Sequence, residues 1–173
     1  MKSLTNFAAV FWFLVCFHLD ACAQSQEKVY STVILNFSKG IEWPKELSRE
    51  NFTIGVFEYE PLAIELLTMG SSMKVSNKKI EIRNIRDIAE IDGCHILFLP
   101  AYKAKSMTAI LNKLGKSPTL IITNKVDMAR KGSGVNFVLQ NGKLKYEINC
   151  KSIEERGMKI SANIKGMGII VED

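Results

Sequence analysis

Beyond its first 23 residues this 173-residue chain contains a single histidine, His95. Catalysis near neutral pH usually recruits histidine, paired carboxylates, an activated cysteine or a metal. The spacings H-E-x-x-H, C-x-x-C and G-x-S-x-G are all missing. His95 follows Cys94, but neighbours in a strand point to opposite faces, so the two form no nucleophile–base couple. His95 therefore reads as structural, and no metal, cofactor or catalytic residue is expected. Concentrated basic charge is missing too. The net charge of +5 is spread along the chain, with no stripe of lysine and arginine interleaved with aromatics, which argues against nucleic acid as a partner. Low-complexity tracts and linkers are absent, and 47% hydrophobic residues is too many for a disordered chain.

No apolar run is long enough to cross a bilayer comfortably. The longest, Phe7 to Phe17, follows Lys2 and precedes Ala21-Cys22-Ala23. This is the pattern of a secretory signal peptide over residues 1–23, cleaved before Gln24, which leaves residues 24–173 as one exported domain. "LDAC" (Leu19–Cys22) loosely resembles a lipobox that would leave Cys22 acylated, but Asp20 sits poorly in that motif, so simple cleavage is the expectation. Export, to a bacterial periplasm, removes cytosolic nucleotides from the ligands to consider. Cleavage leaves Cys94 and Cys150, each bordering an expected strand. A disulfide between them and two buried thiols both stay open, because pairing needs Cα atoms within about 7 Å.

What is present is alternation. Gln26 to Glu42 spaces Val29, Val33, Phe37 and Ile41 as a helix would, with Ile34 beside them. "EWP" ends it, since Pro44 disfavours helical geometry at Trp43. "FTIGVF" (Phe52–Phe57) is an apolar strand, and Pro61 opens a helix carrying Leu62, Leu66 and Leu67. Ile80, Ile82 and Asn84 alternate as in a strand; His95 to Leu99 is continuously apolar. Lys103 to Leu114 returns to helical spacing with Gly115 as its stop, and "PTLIIT" supplies another strand. Strands alternating with helices, two of them apolar throughout, predict an α/β fold: one three-layer domain with a mostly parallel central sheet and helices on both faces. In such sheets ligands sit beyond the carboxyl ends of the strands. Those ends hold Glu58, Tyr59, Tyr102 and the run Asn124 to Arg130, which includes Asp127. Ordinary loop polarity is the competing explanation of these residues. Glu154-Glu155 reads as a solvated helix face.

The stretch from Ala129 to Asn149 carries the strongest local signal. An Asn141-Gly142 type I′ turn sets Leu139 opposite Leu144, Phe137 opposite Tyr146, and Val135 opposite Ile148. All six then share one face, and a one-residue slip would destroy the agreement. Gly132-Ser133-Gly134 leads into this C-terminal hairpin, not into a helix, and Lys131 precedes the glycines. The order is wrong for a phosphate loop, so the glycines serve a sharp bend.

"LNFSKGIEWP" (Leu35–Pro44), "CHILFLPA" (Cys94–Ala101) and "DMARKGSGVNFVLQNGKLKYEINCKSIEERGMKIS" (Asp127–Ser161) together resemble the YfiR family, in the same order, from about Val29 to Ser161. The resemblance implies an exported α/β regulator or sensor without catalytic residues, often a homodimer. Its implied partner is the periplasmic domain of a membrane signalling protein, of diguanylate cyclase or sensor kinase type, which it would restrain and so lower cyclic di-GMP signalling. A small-molecule-binding module using the strand-end loops is the alternative. The chain departs from the family in separating two usually adjacent glycines by Ser133. It also departs in "ANIKGMGIIVED", which replaces a leucine-rich stretch and reads as strand or irregular. The extra cysteines of the family's best-known member have no counterparts, so its disulfide pattern does not carry over.

Overall fold

The structure is a computed structural model that describes residues 25–44 and 50–172. The expected leader and Cys22 lie outside the described residues. The elements are α1 (Gln26–Gly40), β1 (Ile41–Glu42), β2 (Phe52–Phe57), α2 (Glu60–Gly70), β3 (Lys74–Val75), β4 (Lys78–Ile85), β5 (Ile96–Leu99), α3 (Met107–Leu114), β6 (Leu120–Thr123), β7 (Val135–Gln140), β8 (Lys143–Ile148), α4 (Cys150–Glu154), β9 (Lys159–Ile160), α5 (Ala162–Met167) and β10 (Ile169–Ile170).

Among the described residues, eight strands form one sheet in the order β10-β8-β7-β6-β5-β2-β4-β3. Every pairing is parallel except the β3–β4 and β7–β8 hairpins. The architecture is the expected three-layer α/β domain. The period of two along each strand divides the apolar side chains between two cores. Ile54, Val56, Ile96, Phe98, Ile122, Val135 and Phe137 face one side, where α1, α2, Ile153 of α4 and Ile164 of α5 cover them. Phe57, Ile85, Leu97, Leu99 and Ile121 face the other, under α3. The strands β2, β5 and β6 are buried along their whole length, which explains their largely apolar text.

The hairpin adopts the expected register, Val135 with Ile148, Phe137 with Tyr146 and Leu139 with Leu144. Asn141 (φ 53°) and Gly142 (φ 71°) both occupy the left-handed region that a type I′ turn requires.

Four expectations need correction. The first helix stops at Gly40, not Glu42, because the C-terminal segment captures it: Ser161 N–H donates to the Gly40 carbonyl at 3.0 Å, and Ile41–Glu42 pairs antiparallel with β9. A side chain at position 40 would meet Ile164 at 2.4 Å, so glycine is what lets α5 approach. The buried stripe of α1 centres on Tyr30, Ile34 and Phe37, with Val29 and Val33 at its margin; strict four-residue spacing drifts around a helix of period 3.6. The third helix begins in the α conformation only at Met107. Ala101 to Ser106 coils more tightly as a 3-10 helix. The C-terminal segment, expected as strand or irregular, forms α5 and then β10, which pairs parallel with β8.

Candidate functional site

At the carboxyl ends of the parallel strands, the structure gathers four of the residues expected there. Glu58 follows β2 with φ 48°, a left-handed conformation that costs a non-glycine residue energy. Its backbone N–H donates to Ile85 O at 2.8 Å, while its carbonyl accepts from the Tyr102 hydroxyl at 2.5 Å. The Glu58 carboxylate meets Lys103 Nζ at 2.6 Å. Both partners come from the 3-10 segment after β5. The Tyr59 ring stands edge-on to Tyr102 at 6.4 Å and stacks over Phe98 at 6.1 Å. Asn124, after β6, accepts from the Ala101 N–H at 2.7 Å and donates toward the Tyr30 hydroxyl at 3.5 Å.

Two residues reached from α1 were not legible as site residues. Tyr30 lies beneath the cluster, and Glu27 accepts a hydrogen bond from the Tyr59 hydroxyl at 2.5 Å. Nothing in the spacing of α1 distinguishes them, because their partners lie in strand-end loops far along the chain. Burial first, and then the bond to the Glu27 carboxylate, pushes the Tyr59 phenol far above the ordinary tyrosine value. The same bond holds Glu27 below the ordinary carboxylate range.

This pairing sets a pH dependence. A phenol whose folded value is raised contributes stability that is present below its unfolded value near 10 and lost as pH rises through the folded one. Alkaline spectrophotometric titration is therefore expected to show a late phenolate phase that Tyr59→Phe diminishes, leaving the part due to Tyr146, whose phenol burial also pushes up. A variant that keeps the whole late phase would break the assignment to Tyr59.

Asp127 and Arg130 stand apart from this cluster. Asp127 is exposed at φ 66° in the turn after β6. Arg130 Nη1 donates to the Glu172 carbonyl at 2.7 Å, and its side chain borders a different cavity. Nor does the structure bring Cys94 and Cys150 together. Cys94 is buried in the core under α3, Cys150 packs against the opposite core, and no bond joins them. His95, just before β5 and so outside the expected strand, packs on the side of the sheet opposite Cys94. It is 2% exposed, stacks on Phe52 at 4.4 Å, and its Nδ1 accepts from the Thr53 N–H at 3.1 Å. That acceptor role assigns Nδ1 no proton, and the ring sits as a core residue. Among the described residues no group of three histidine, cysteine or acidic side chains is placed to hold a metal ion.

The glycine-rich stretch is built for packing. Gly132 takes φ 95°. A side chain at Gly134 would meet Leu120 at 2.7 Å and Ile153 at 3.0 Å. Between them Ser133 is wholly buried, its hydroxyl within reach of the Ile121 and Val135 carbonyls and of the Thr123 hydroxyl. Asn149 then locks the turn to α4. Its Nδ2 donates to Ala129 O at 2.8 Å, and its Oδ1 accepts from the Ser152 N–H at 2.8 Å, capping that helix.

No helix among the described residues is long and apolar enough to cross a membrane. A comparison with curated proteins gave no match. The family model described as YfiR/HmsC-like matches residues 27–167, spanning α1, the strand-end cluster, the glycine-rich turn and the hairpin. On that match, over nearly all of the folded chain, this protein belongs to the YfiR/HmsC-like family, known for periplasmic regulators of signalling.

Proposed function

We propose that the protein works in the periplasm by docking on the periplasmic domain of a membrane signalling protein, of diguanylate cyclase or sensor kinase type, and restraining it. The observation that carries this reading is the surface beside the strand-end cluster. The polar groups of the cluster bond to one another, while large apolar side chains in the strand-end loops and along α2 stay in water. Tyr102 is 62% exposed and Val126 69%, both just beyond carboxyl ends of parallel strands. On α2, Leu62 and Leu66 are buried, yet Ile64 and Leu67 on its outer side are 58% and 57% exposed. A helix apolar on both sides exposes area that a solitary protein has no reason to keep apolar. Family membership supports the periplasmic location and the regulatory role.

The test is a paired substitution, Ile64→Asp with Leu67→Asp. Because both side chains already face solvent, the expected cost is mainly that of two aspartates in a helix, about 1–2 kcal/mol, which leaves the chain folded. Cyclic di-GMP, or the output of the kinase, is expected to rise in cells carrying the variant as it does when the protein is removed. Recovery of the membrane partner with a tagged chain is expected to fail in parallel. Normal restraint by a folded double variant would remove this face from the mechanism. A second reading, a small molecule at the same end, would use the cavity of about 430 Å³ lined by Glu58, Glu60, Asn84 and Arg86. Saturable binding lost on Arg86→Gln, with docking intact, would select it.

A further inference from the structure

A second cavity, of about 550 Å³, opens where the end of α3, the turn at 129–132 and the helix α4 meet. None of Glu58, Tyr59, Tyr102 or Asn124 lines it. Its charged lining is Lys116, Arg130 and Arg156 against one carboxylate, Glu155. The floor is the Leu111 side chain, pressed so close to Gly132 that a Cβ there would stand 3.1 Å from it. The volume falls within the range of small-molecule pockets, roughly 300–1,000 Å³.

Both guanidinium groups are held in place by the backbone. Arg156 Nη1 donates to the carbonyls of Gly115 at 3.1 Å and Ser117 at 3.4 Å. Arg130 Nη1 donates to Glu172 O at 2.7 Å. An arginine carries five N–H donors in a rigid fork, so anchoring one nitrogen to carbonyls orients the remaining donors. Burial lowers the Arg156 proton affinity below the ordinary arginine value, with the Glu155 charge pulling the other way. A cation left partly desolvated in this way gains from an anion brought beside it. The glycines of this turn act by packing, and the positive charge comes from side chains that the fold converges from three separate elements.

We propose that this cavity is an anion site for a compact dianion of the phosphate monoester class, gripped by Arg130, Lys116 and Arg156 over the Leu111 floor. The excess of two positive charges in the lining matches the charge of a monoester near neutral pH, and the fork geometry of arginine suits its oxygens. The site is independent of docking through α2 and stands whether or not that reading holds.

Glycerol 3-phosphate is the probe, titrated calorimetrically into the purified chain at low ionic strength and again at about 0.15 M salt. One-site saturable binding is expected, displaced by inorganic phosphate and absent with glycerol. Arg130→Gln and Lys116→Gln are each expected to weaken it about tenfold, while Glu155→Gln, which removes the opposing charge, tightens it. The Glu155 variant guards against misreading a folding defect, since misfolding does not improve affinity. Parallel arms use succinate and phosphatidylglycerol vesicles. Preference for succinate would overturn the phosphate assignment, and preference for vesicles would move the source to a lipid headgroup and overturn the free monoester. Absence of saturable uptake, or indifference of the affinity to all three substitutions, would overturn the site itself.

Discussion

Phe98→Ala is expected to lower folding stability by about 3–5 kcal/mol. Phe98 is wholly buried at the centre of β5, and three rings surround it: Tyr30 at 5.9 Å, Tyr59 at 6.1 Å and Phe137 at 6.3 Å. The truncation removes apolar area and leaves a cavity that flanking strands, hydrogen-bonded on both sides, have little freedom to collapse into. Against a total stability of roughly 5–15 kcal/mol for a domain of this kind, one ring is a large fraction. Urea unfolding is the measurement: the midpoint should fall with little change in slope, since the surface exposed on unfolding is nearly the same. Leu139→Ala is the matched control, because Leu139 is 76% exposed on the hairpin and should shift stability by no more than about 0.5 kcal/mol. The loss at Phe98 also reaches the strand ends, because Tyr59 rests on that ring while its hydroxyl ties to Glu27. A loss under about 1 kcal/mol would show that the aromatic cluster is not the structural centre that its burial implies.

The parts of this fold that were legible in the sequence are those governed by local periodicity. Ile96 to Leu99 and Leu120 to Thr123 are buried on both faces, and their text is apolar apart from the closing Thr123. Asn141-Gly142 sets its own turn, and the hairpin register follows by arithmetic. What escaped was set by distant chain. Gly40 looks like a helix interior until Ile164 packs on it, and Leu67 looks like a core leucine until α2 is seen to turn it outward. The strand-end site divides in the same way. Topology alone placed Glu58, Tyr59, Tyr102 and Asn124 at one end of the sheet, because parallel strands all finish there. Arg130 was grouped with them on chain position, but a bond to Glu172 and the fold-back of the turn carry it to another cavity. Lys116 and Arg156, from α3's end and beyond α4, join it there with no spacing that announces it. Charged pockets assembled from three elements leave no periodic trace.

The second large effect concerns the clamp that makes that convergence possible. Asn149 is wholly buried, and it ties the turn at Ala129 to the first turn of α4 with two side-chain hydrogen bonds. Asn149→Ala removes the helix cap, about 1 kcal/mol, and withdraws the donor from a buried carbonyl, about 1–3 kcal/mol, so a loss of about 2–4 kcal/mol is expected. Asn149→Asp separates the two contributions. It keeps the acceptor for the Ser152 N–H but sets an oxygen where Nδ2 faced the Ala129 carbonyl, at the 2.8 Å of the original bond. Two oxygens in a buried site repel while the introduced carboxylate is ionised, and burial together with the facing carbonyl raises its proton affinity. A group whose folded value is raised contributes its stabilising form below the unfolded value and loses it as pH rises. The deficit of Asn149→Asp relative to the natural chain is therefore expected to be largest at neutral pH and to shrink as pH falls toward 4, where a protonated carboxyl again donates to Ala129. Thermal midpoints of the two chains compared across that range read it directly. A deficit that stays constant with pH would mean that the side chain at 149 does not face the carbonyl, and that the turn and α4 are held together by other contacts, such as the bond from the Ser152 hydroxyl to the Gly132 carbonyl.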